Sequence, residues 1–293
     1  MDIRPIDLPE LRNELLQFIN SRNAEWFYGS RSTGSLFHGV AVEQLQAEEV
    51  AALRSADLYH LSEPMIELAF GAASSLPPFE LEPEDVPSTV GFAFMWSGSV
   101  QLHPDLGPAA AVLWRPMNGM VLFTFFADTG NVVSDVVSSG KATRATAAWH
   151  RAVTGRLSPM ALEAVIPFGT SEVYDDRHAL EPMLRIIRAA WLLMQQPLAL
   201  SSEAHADRAA QKRLRRAGYE PRPVRVIELR RPAHSGSGDG SREFHHQWIV
   251  RGHWRQQWYP AREVHRPVWI APHIKGPEGA PLIGGEKVYA WKR

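Results

Sequence analysis

The apolar positions of the N-terminal third recur at helical spacing. In residues 8–20 a leucine, isoleucine or phenylalanine returns every three or four positions, so that these side chains share one helix face. The same spacing returns in residues 40–61 and, over a shorter length, in residues 63–76. Residues 25–39 (EWFYGSRSTGSLFHG) are instead rich in glycine and serine, which favours a loop. The pattern predicts three helices with a long loop after the first.

A different pattern starts after the proline- and acid-rich connector at residues 76–88 (LPPFELEPEDVPS). Short apolar runs bounded by Gly, Pro and Asn follow it, which is typical of β-strands. Two of these runs flank residues 116–119, where Asn118 and Gly119 suit the positive φ angles of a two-residue turn. Residues 103–128 are therefore predicted to form a β-hairpin.

Two helices of opposite character are predicted next. Residues 178–198 place leucine, isoleucine, tryptophan and methionine along one face, which indicates a buried helix that Pro197 closes. Residues 203–218 (EAHADRAAQKRLRRAG) are highly charged and end at Gly218, a typical helix stop.

The C-terminal region shows strand-like segments. They are PRPVRVIELRR, FHHQWIVRGHWRQQW, HRPVWIAPH and EKVYAWKR, at residues 221–231, 244–258, 265–273 and 286–293. In the second segment Trp248 and Trp254 fall on one side, and Arg251, His253 and Arg255 fall on the other. We expect these four segments to form an antiparallel meander.

Together the patterns predict an α+β fold. It consists of a mixed N-terminal α/β body with a β-hairpin, a basic linker helix and a small C-terminal antiparallel β module. We assign residues 1–200 to the acidic body, residues 201–222 to the linker helix and residues 223–293 to the basic β module.

Composition excludes several classes of chemistry. The chain has 293 residues and no cysteine, which rules out disulfides, thiolate zinc sites and cysteine nucleophiles. The N-terminus lacks the basic and apolar regions of a signal peptide, and no apolar run is long enough to cross a membrane. We therefore expect a cytoplasmic protein with no membrane partner.

The net charge of −1 hides a division between the two parts of the chain. Residues 201–293 carry 18 Lys and Arg against 9 Asp and Glu, a charge of +9, and residues 1–200 carry 13 against 23, a charge of −10. The two charges could neutralise each other across an internal interface, or the basic part could face a polyanion. Both interpretations stay open at this point.

The C-terminal histidines are candidate metal ligands, since imidazole binds metals well. His246, His253, His265 and His273 lack the short spacing that brings two ligands onto one face. We expect no metal and no cofactor. Because the neighbouring arginines disfavour protonation of His253, its neutral ring suits phosphate contact better than general-acid catalysis.

Arginines and tryptophans alternate in the C-terminal region. Guanidinium groups fit phosphates, and indoles stack on unpaired bases. The candidate nucleic-acid contacts are Arg213, Arg216, Arg251, His253, Arg255, Arg266 and Lys275. Two alternatives stay open: Trp248, Trp254, Trp269 and Trp291 could form a small core under an arginine lid, and the helix dipole could explain the cations near Gly218.

Catalytic templates are mostly missing. We find no Walker loop, no dinucleotide-binding glycine motif, no His-Glu-x-x-His and no nucleophile elbow. Asp128, the segment 175–178 (Asp-Asp-Arg-His) and a phosphate pocket at residues 31–33 are conceivable sites. Each has a structural explanation of its own as a turn, a helix cap or a loop. Whether the protein is an enzyme stays uncertain, and the sequence favours a non-enzymatic role.

The segment VRGHWRQQWYP…HRPVWIAPHIKGPEGAPL resembles a C-terminal module of uncharacterised proteins from actinobacteria, their phages and mobile elements. Its theme is V-R-G-H-[WF]-R followed by W-[IV]-x-P-[HY]-x-[KR]-G, and the resemblance covers about the last 110 residues. It implies a phage or mobile-element setting and carries no established activity. The charge of +9 on residues 201–293, together with this setting, predicts a nucleic-acid-binding or regulatory protein with RNA or DNA as partner. The alternatives are a module that binds a protein partner, either antitoxin-like or binding a host factor, and a nuclease-like hydrolase that uses His253 or His273.

Overall fold

The computed structural model describes residues 3–95, 109–141, 143–175, 180–230 and 247–277. The helices are α1 (Leu8–Ile19), α2 (Glu25–Ser32), α3 (Val42–Ser55), α4 (Glu63–Ala73), α5 (Thr129–Ser138), α6 (Arg144–Thr154), α7 (Glu181–Met194) and α8 (Arg208–Arg216). The strands are β1 (Asp57–Leu61), β2 (Gly91–Phe94), β3 (Ala109–Met117), β4 (Met120–Asp128), β5 (Leu157–Pro167), β6 (Tyr174–Asp175), β7 (Ala199–Ala204), β8 (Val224–Leu229), β9 (Trp248–Val250), β10 (His253–Tyr259), β11 (Val264–Ile270) and β12 (His273–Lys275).

Eight strands form one mixed sheet in the order β6-β5-β4-β3-β2-β1-β8-β7. Strand β1 is parallel to β2 and β8, and the other neighbouring pairs are antiparallel. The β3–β4 hairpin turns at Asn118 and Gly119, whose φ angles are 48° and 78°. Positive φ at both turn positions matches the right-handed twist of the strands, and the predicted hairpin is confirmed from Ala109 onward.

Helices cover both faces of this sheet. One core contains α4 and α7 with Trp114, Phe123 and Trp191, and the other contains α1, α2 and α3 with Phe92 and Phe126. Strands covered on both faces have no polar side, which explains why β3 and β4 read as continuous apolar runs. The α+β class with a basic helix and small antiparallel C-terminal sheets is confirmed.

Two N-terminal predictions are wrong. Residues 25–39 contain α2 and a 3₁₀ helix (Ser35–Phe37) where a loop was expected. Phe27, Tyr28 and Arg31 are buried along one side of α2, but the glycine and serines between them hid this helical spacing. The helix predicted for residues 40–61 ends at Ser55, and its last apolar residues form the parallel strand β1.

The C-terminal strands also differ from the predicted meander. Strand β8 exists, but it pairs with β1 and β7 inside the body sheet, where Val224 and Ile227 are buried. The charged helix starts only at Arg208, after strand β7. The segment 286–293 lies outside the described residues. The division of the chain into domains at residues 200 and 223 stays a prediction.

Candidate nucleic-acid interface

The strands after β8 form a two-stranded antiparallel ribbon, which we call the C-terminal ribbon (residues 247–277). The hairpin β10–β11 is its longer part, and β9 pairs with β12 in its shorter part. The predicted single strand across 244–258 is interrupted at Arg251 and Gly252. At Gly252 the indole of Trp269 lies so close that an added Cβ would be 2.4 Å from it. A glycine at this position therefore lets the indole pack against the backbone.

Two tryptophans fix the ribbon to the body. Trp254 and Trp269 face each other across β10 and β11 with ring centroids 5.2 Å apart, edge to face. The Trp254 indole donates a hydrogen bond to the carbonyl of Ala72 at 2.8 Å, and the Trp269 backbone N–H donates to the side chain of Gln196 at 3.2 Å. Trp269 is 8% exposed and belongs to the core under α4 and α7. These indoles pack against the body and are not available for base stacking.

Arg266 is a polar anchor of the ribbon. Its guanidinium donates to the carboxylate of Asp85 at 2.8 Å and to the carbonyl of Glu80 at 2.7 Å. Burial raises the pKa of Asp85, although the Glu82 N–H and Arg266 act in the opposite direction. Arg266 is thus paired with a carboxylate of its own chain. For this arginine, the positive charge is neutralised inside the protein, which was one of the two interpretations of the charge division.

Other side chains of the ribbon remain open to solvent. Arg251, His253 and Arg255 are exposed, and within the described ranges no carboxylate pairs with either arginine. Further along β10, Trp258 and Tyr259 are 43% and 42% exposed. Large aromatic side chains are thus partly accessible on the strand that carries Arg255.

The charge of the ribbon is strongly positive. Residues 247–277 contain five Lys and Arg and one Glu, a net charge of +4. Lys275 is exposed on β12, and Arg262 is exposed in the turn between β10 and β11. The His253 Nδ1 lies 3.0 Å from the carbonyl oxygen of Arg251, which holds the imidazole beside the interruption between β9 and β10. Cations are therefore spread along the whole ribbon.

The basic helix α8 lies apart from the ribbon. It packs against α1, which belongs to the helical layer of α1–α3, whereas the ribbon packs against α7 of the other layer. Arg213 donates to the carboxylate of Glu10 at 2.7 Å, and Arg216 is exposed. The seven predicted contacts therefore do not form one surface, since the sheet separates the two on α8 from the five on the ribbon.

The other conceivable sites have structural roles. Arg31 is buried and pairs with Glu49 and Glu163, so it is not part of a phosphate pocket. Asp128 caps α5 by accepting a hydrogen bond from the N–H of Gly130, and Asp175 accepts one from the N–H of Leu180. His246, Trp291 and residues 176–178 lie outside the described residues.

The sequence interpretation missed the two exposed aromatic residues of β10. Trp258 has the same strand parity as the anchoring Trp254, so alternation alone places its side chain against the body. It is partly exposed and contacts His265 instead, with ring centroids 4.9 Å apart. Trp258 lies four residues beyond Trp254 and close to the turn. This position was the sequence signal that its side chain could be exposed.

Among the described residues, no three His, Asp or Glu side chains gather as a possible metal site. The helices of the described ranges are all too short or too polar to cross a membrane. A scan against protein-family models and searches of curated proteins and of solved structures found no match to this chain. Function is therefore inferred from the geometry and charge of the sites alone.

Proposed function

We propose that the protein binds single-stranded RNA or DNA in the cytoplasm through the exposed part of the C-terminal ribbon. One observation carries this proposal: exposed arginines without a carboxylate partner in the described chain lie on the same short stretch as two partly exposed aromatic rings. They are Arg251, Arg255, Trp258 and Tyr259. His253 and Lys275 extend this surface, and Arg266 supports it from the side of the body.

The chemistry of these residues suits an unpaired strand. Guanidinium groups donate paired N–H groups to phosphate oxygens, and aromatic rings stack on any base without reading its identity. We therefore expect weak sequence preference and strong dependence on salt, because phosphate binding releases counterions. A regulatory role in a phage or mobile element remains part of the same proposal.

The charge of the body also favours binding of a nucleic acid at the ribbon. Residues 1–200 carry a charge of −10, whereas the ribbon carries +4. The negative body repels a polyanion and the positive ribbon attracts it. A nucleic acid should therefore bind at the ribbon. Arg213 is compensated by Glu10, and only Arg216 of the two predicted α8 contacts keeps an exposed guanidinium without a described carboxylate.

A second candidate function is protein binding through the shorter part of the ribbon. Ile249 and Ile274 face each other across β9 and β12 and are 40% and 57% exposed. Isolated exposed apolar residues are common, but a cross-strand pair can seat an apolar side chain of a partner. We propose no catalytic role for His253 or His273.

The test is binding of the full-length protein to labelled single-stranded oligonucleotides, measured by fluorescence anisotropy over a salt series. The double variant R251E/R255E should weaken binding roughly ten-fold or more, and R251A/R255A should lower the slope of log K against log salt by about 0.7 per lost phosphate contact. W258A/Y259A should weaken binding at every salt concentration, since stacking contributes about 1–3 kcal/mol per base.

R144E/R151E on α6 is the matched control, because it reverses two exposed arginines of the body. It should bind like the natural protein. No binding at low salt, or an equal loss of binding in R251E/R255E and R144E/R151E, would refute the ribbon as the interface. If an I249E/I274E variant loses a protein partner while oligonucleotide binding is absent throughout, the second candidate replaces the first.

A further inference from the structure

The helices α5 and α6 form a side-by-side pair between β4 and β5 that the proposed function does not use. An open groove of about 600 Å³ lies along them. Ala147, at 4% exposure, is the buried residue of the groove lining, and the other lining residues are partly or fully exposed. The outer sides of both helices therefore offer a groove that no described element fills.

Small and apolar side chains line most of this groove. Val133 and Val137 come from α5, and Ala148 and Ala152 come from α6. Gly130, Ser134 and Ser138 continue the α5 wall at intervals of four residues, so no long side chain rises from it. Small residues at this spacing allow another backbone to approach closely.

Two arginines give the groove its charge. Arg144 and Arg151 also line it, seven residues apart on α6, which corresponds to about 10.5 Å along the helix axis. Both are exposed, and in the described ranges neither forms an ion pair. Residues 136–162 contain Lys141, Arg144, Arg151 and Arg156 but no Asp or Glu. One carboxylate does border the groove, because Asp128, which accepts from the Gly130 N–H, and the Arg151 guanidinium both approach Gly130.

These features select among possible occupants. A second copy of the chain would bring its own Arg144 and Arg151 to the same groove, and like charges repel. A lipid surface suits a helix with bulky apolar side chains, whereas this groove is lined by alanine, serine and valine. A third helix fits the space between two packed helices, provided that it carries carboxylates opposite the arginines.

We propose that the α5–α6 groove binds an acidic amphipathic helix of a protein partner. The partner helix places small or aliphatic side chains between α5 and α6. Carboxylates two turns apart on its flank pair with Arg144 and Arg151. The exposed Trp149 (55%) lies on α6 beside the groove residues and covers the outer edge of the docked helix.

The test uses a displayed library of amphipathic helices about 18 residues, or five turns, in length, with the flanking positions randomised. Selection on the full-length protein should enrich Asp or Glu at positions seven apart. Binding of the selected peptides should fall roughly ten-fold or more in R144E/R151E and in A148W, which fills the groove. The double variant R251E/R255E on the ribbon should bind the peptides normally, and thermal melting checks that each variant is folded.

Several outcomes would overturn the proposal. These are a failure to select any peptide, selection without acidic enrichment, and binding that R144E/R151E and A148W leave unchanged. A dimer in analytical ultracentrifugation that A148W abolishes would assign the groove to a second copy. Binding to phosphatidylserine vesicles that R144E/R151E abolishes would assign it to a membrane surface.

Discussion

The buried arginine Arg31 of the body and two exposed arginines of the C-terminal ribbon have opposite environments. In the body, Arg31 is 3% exposed and is enclosed by Glu49 and Glu163. In the ribbon, Arg251 and Arg255 are exposed, and the only acid among residues 247–277 is a single glutamate. The contrast teaches that the role of an arginine depends on burial and on nearby carboxylates, which its sequence neighbours do not reveal.

The largest expected effect comes from breaking the arginine cluster of the body. Although burial alone would lower the pKa of Arg31, Glu49 and Glu163 raise it, so this arginine stays charged. R31M would leave two buried carboxylates without a cation and should lower the free energy of unfolding by about 3–5 kcal/mol. Urea unfolding followed by circular dichroism measures this loss.

The exposed arginine of the ribbon provides the matched control. R255M removes the same charge from a solvated position and should change the unfolding free energy by less than about 0.5 kcal/mol. Equal destabilisation by R31M and R255M would contradict the distinction between the structural and the exposed arginines. A stable R31M protein would show that the buried cluster contributes little to folding.

A smaller effect is expected where the ribbon meets the body. R266M leaves Asp85 buried without its cation, and an unpaired buried group costs about 1–3 kcal/mol. Hydrogen exchange should show faster exchange in β10 and β11, with the body sheet still protected. Exchange that accelerates equally in β3 and β4 would indicate that the ribbon and the body unfold as one unit.

The same variant should change the pH dependence of stability. Burial already raises the pKa of Asp85, so the folded protein retains this proton at a higher pH than the unfolded chain. The contribution of Asp85 to stability is therefore fully present below its unfolded pKa and is lost as pH rises through its folded pKa. Because Arg266 acts to lower the pKa of Asp85, R266M should raise that pKa further, so the loss of stability should become larger and extend to higher pH. A pH series of urea unfolding on R266M and the natural protein measures it, and identical profiles would contradict the assignment.

The sequence predicted the elements whose signals are local. The β3–β4 hairpin follows from Asn118 and Gly119, and α7 follows from an unbroken apolar face ahead of Pro197. The central place of β1 and the insertion of β8 beside it depend on parallel pairing between segments about 165 residues apart, as between Leu58 and Val224. Nothing local specifies such a pairing, which explains why β8 was assigned to the meander.

The candidate site was predictable in composition but not in arrangement. The alternation of β10 correctly places His253 and Arg255 on one exposed side. Arg266 pairs with Asp85, and Arg213 pairs with Glu10. The partners are about 180 and 200 positions apart in the sequence, so only the tertiary structure brings them together. The groove between α5 and α6 was missed entirely, because its alanines, valines and serines form no recognisable motif.

The smallest expected effect concerns a histidine of the body, which contrasts with the exposed histidines of the ribbon. His150 on α6 is half-buried, and burial lowers its pKa. Between about pH 7 and pH 5 the unfolded chain takes up this proton before the folded protein does, so stability should decrease as pH falls. H150Q removes that proton uptake and should flatten the acidic side of a stability profile from urea unfolding at several pH values. An unchanged slope in H150Q would show that the half-buried imidazole is protonated as readily in the folded protein as in the unfolded chain, and would contradict the prediction.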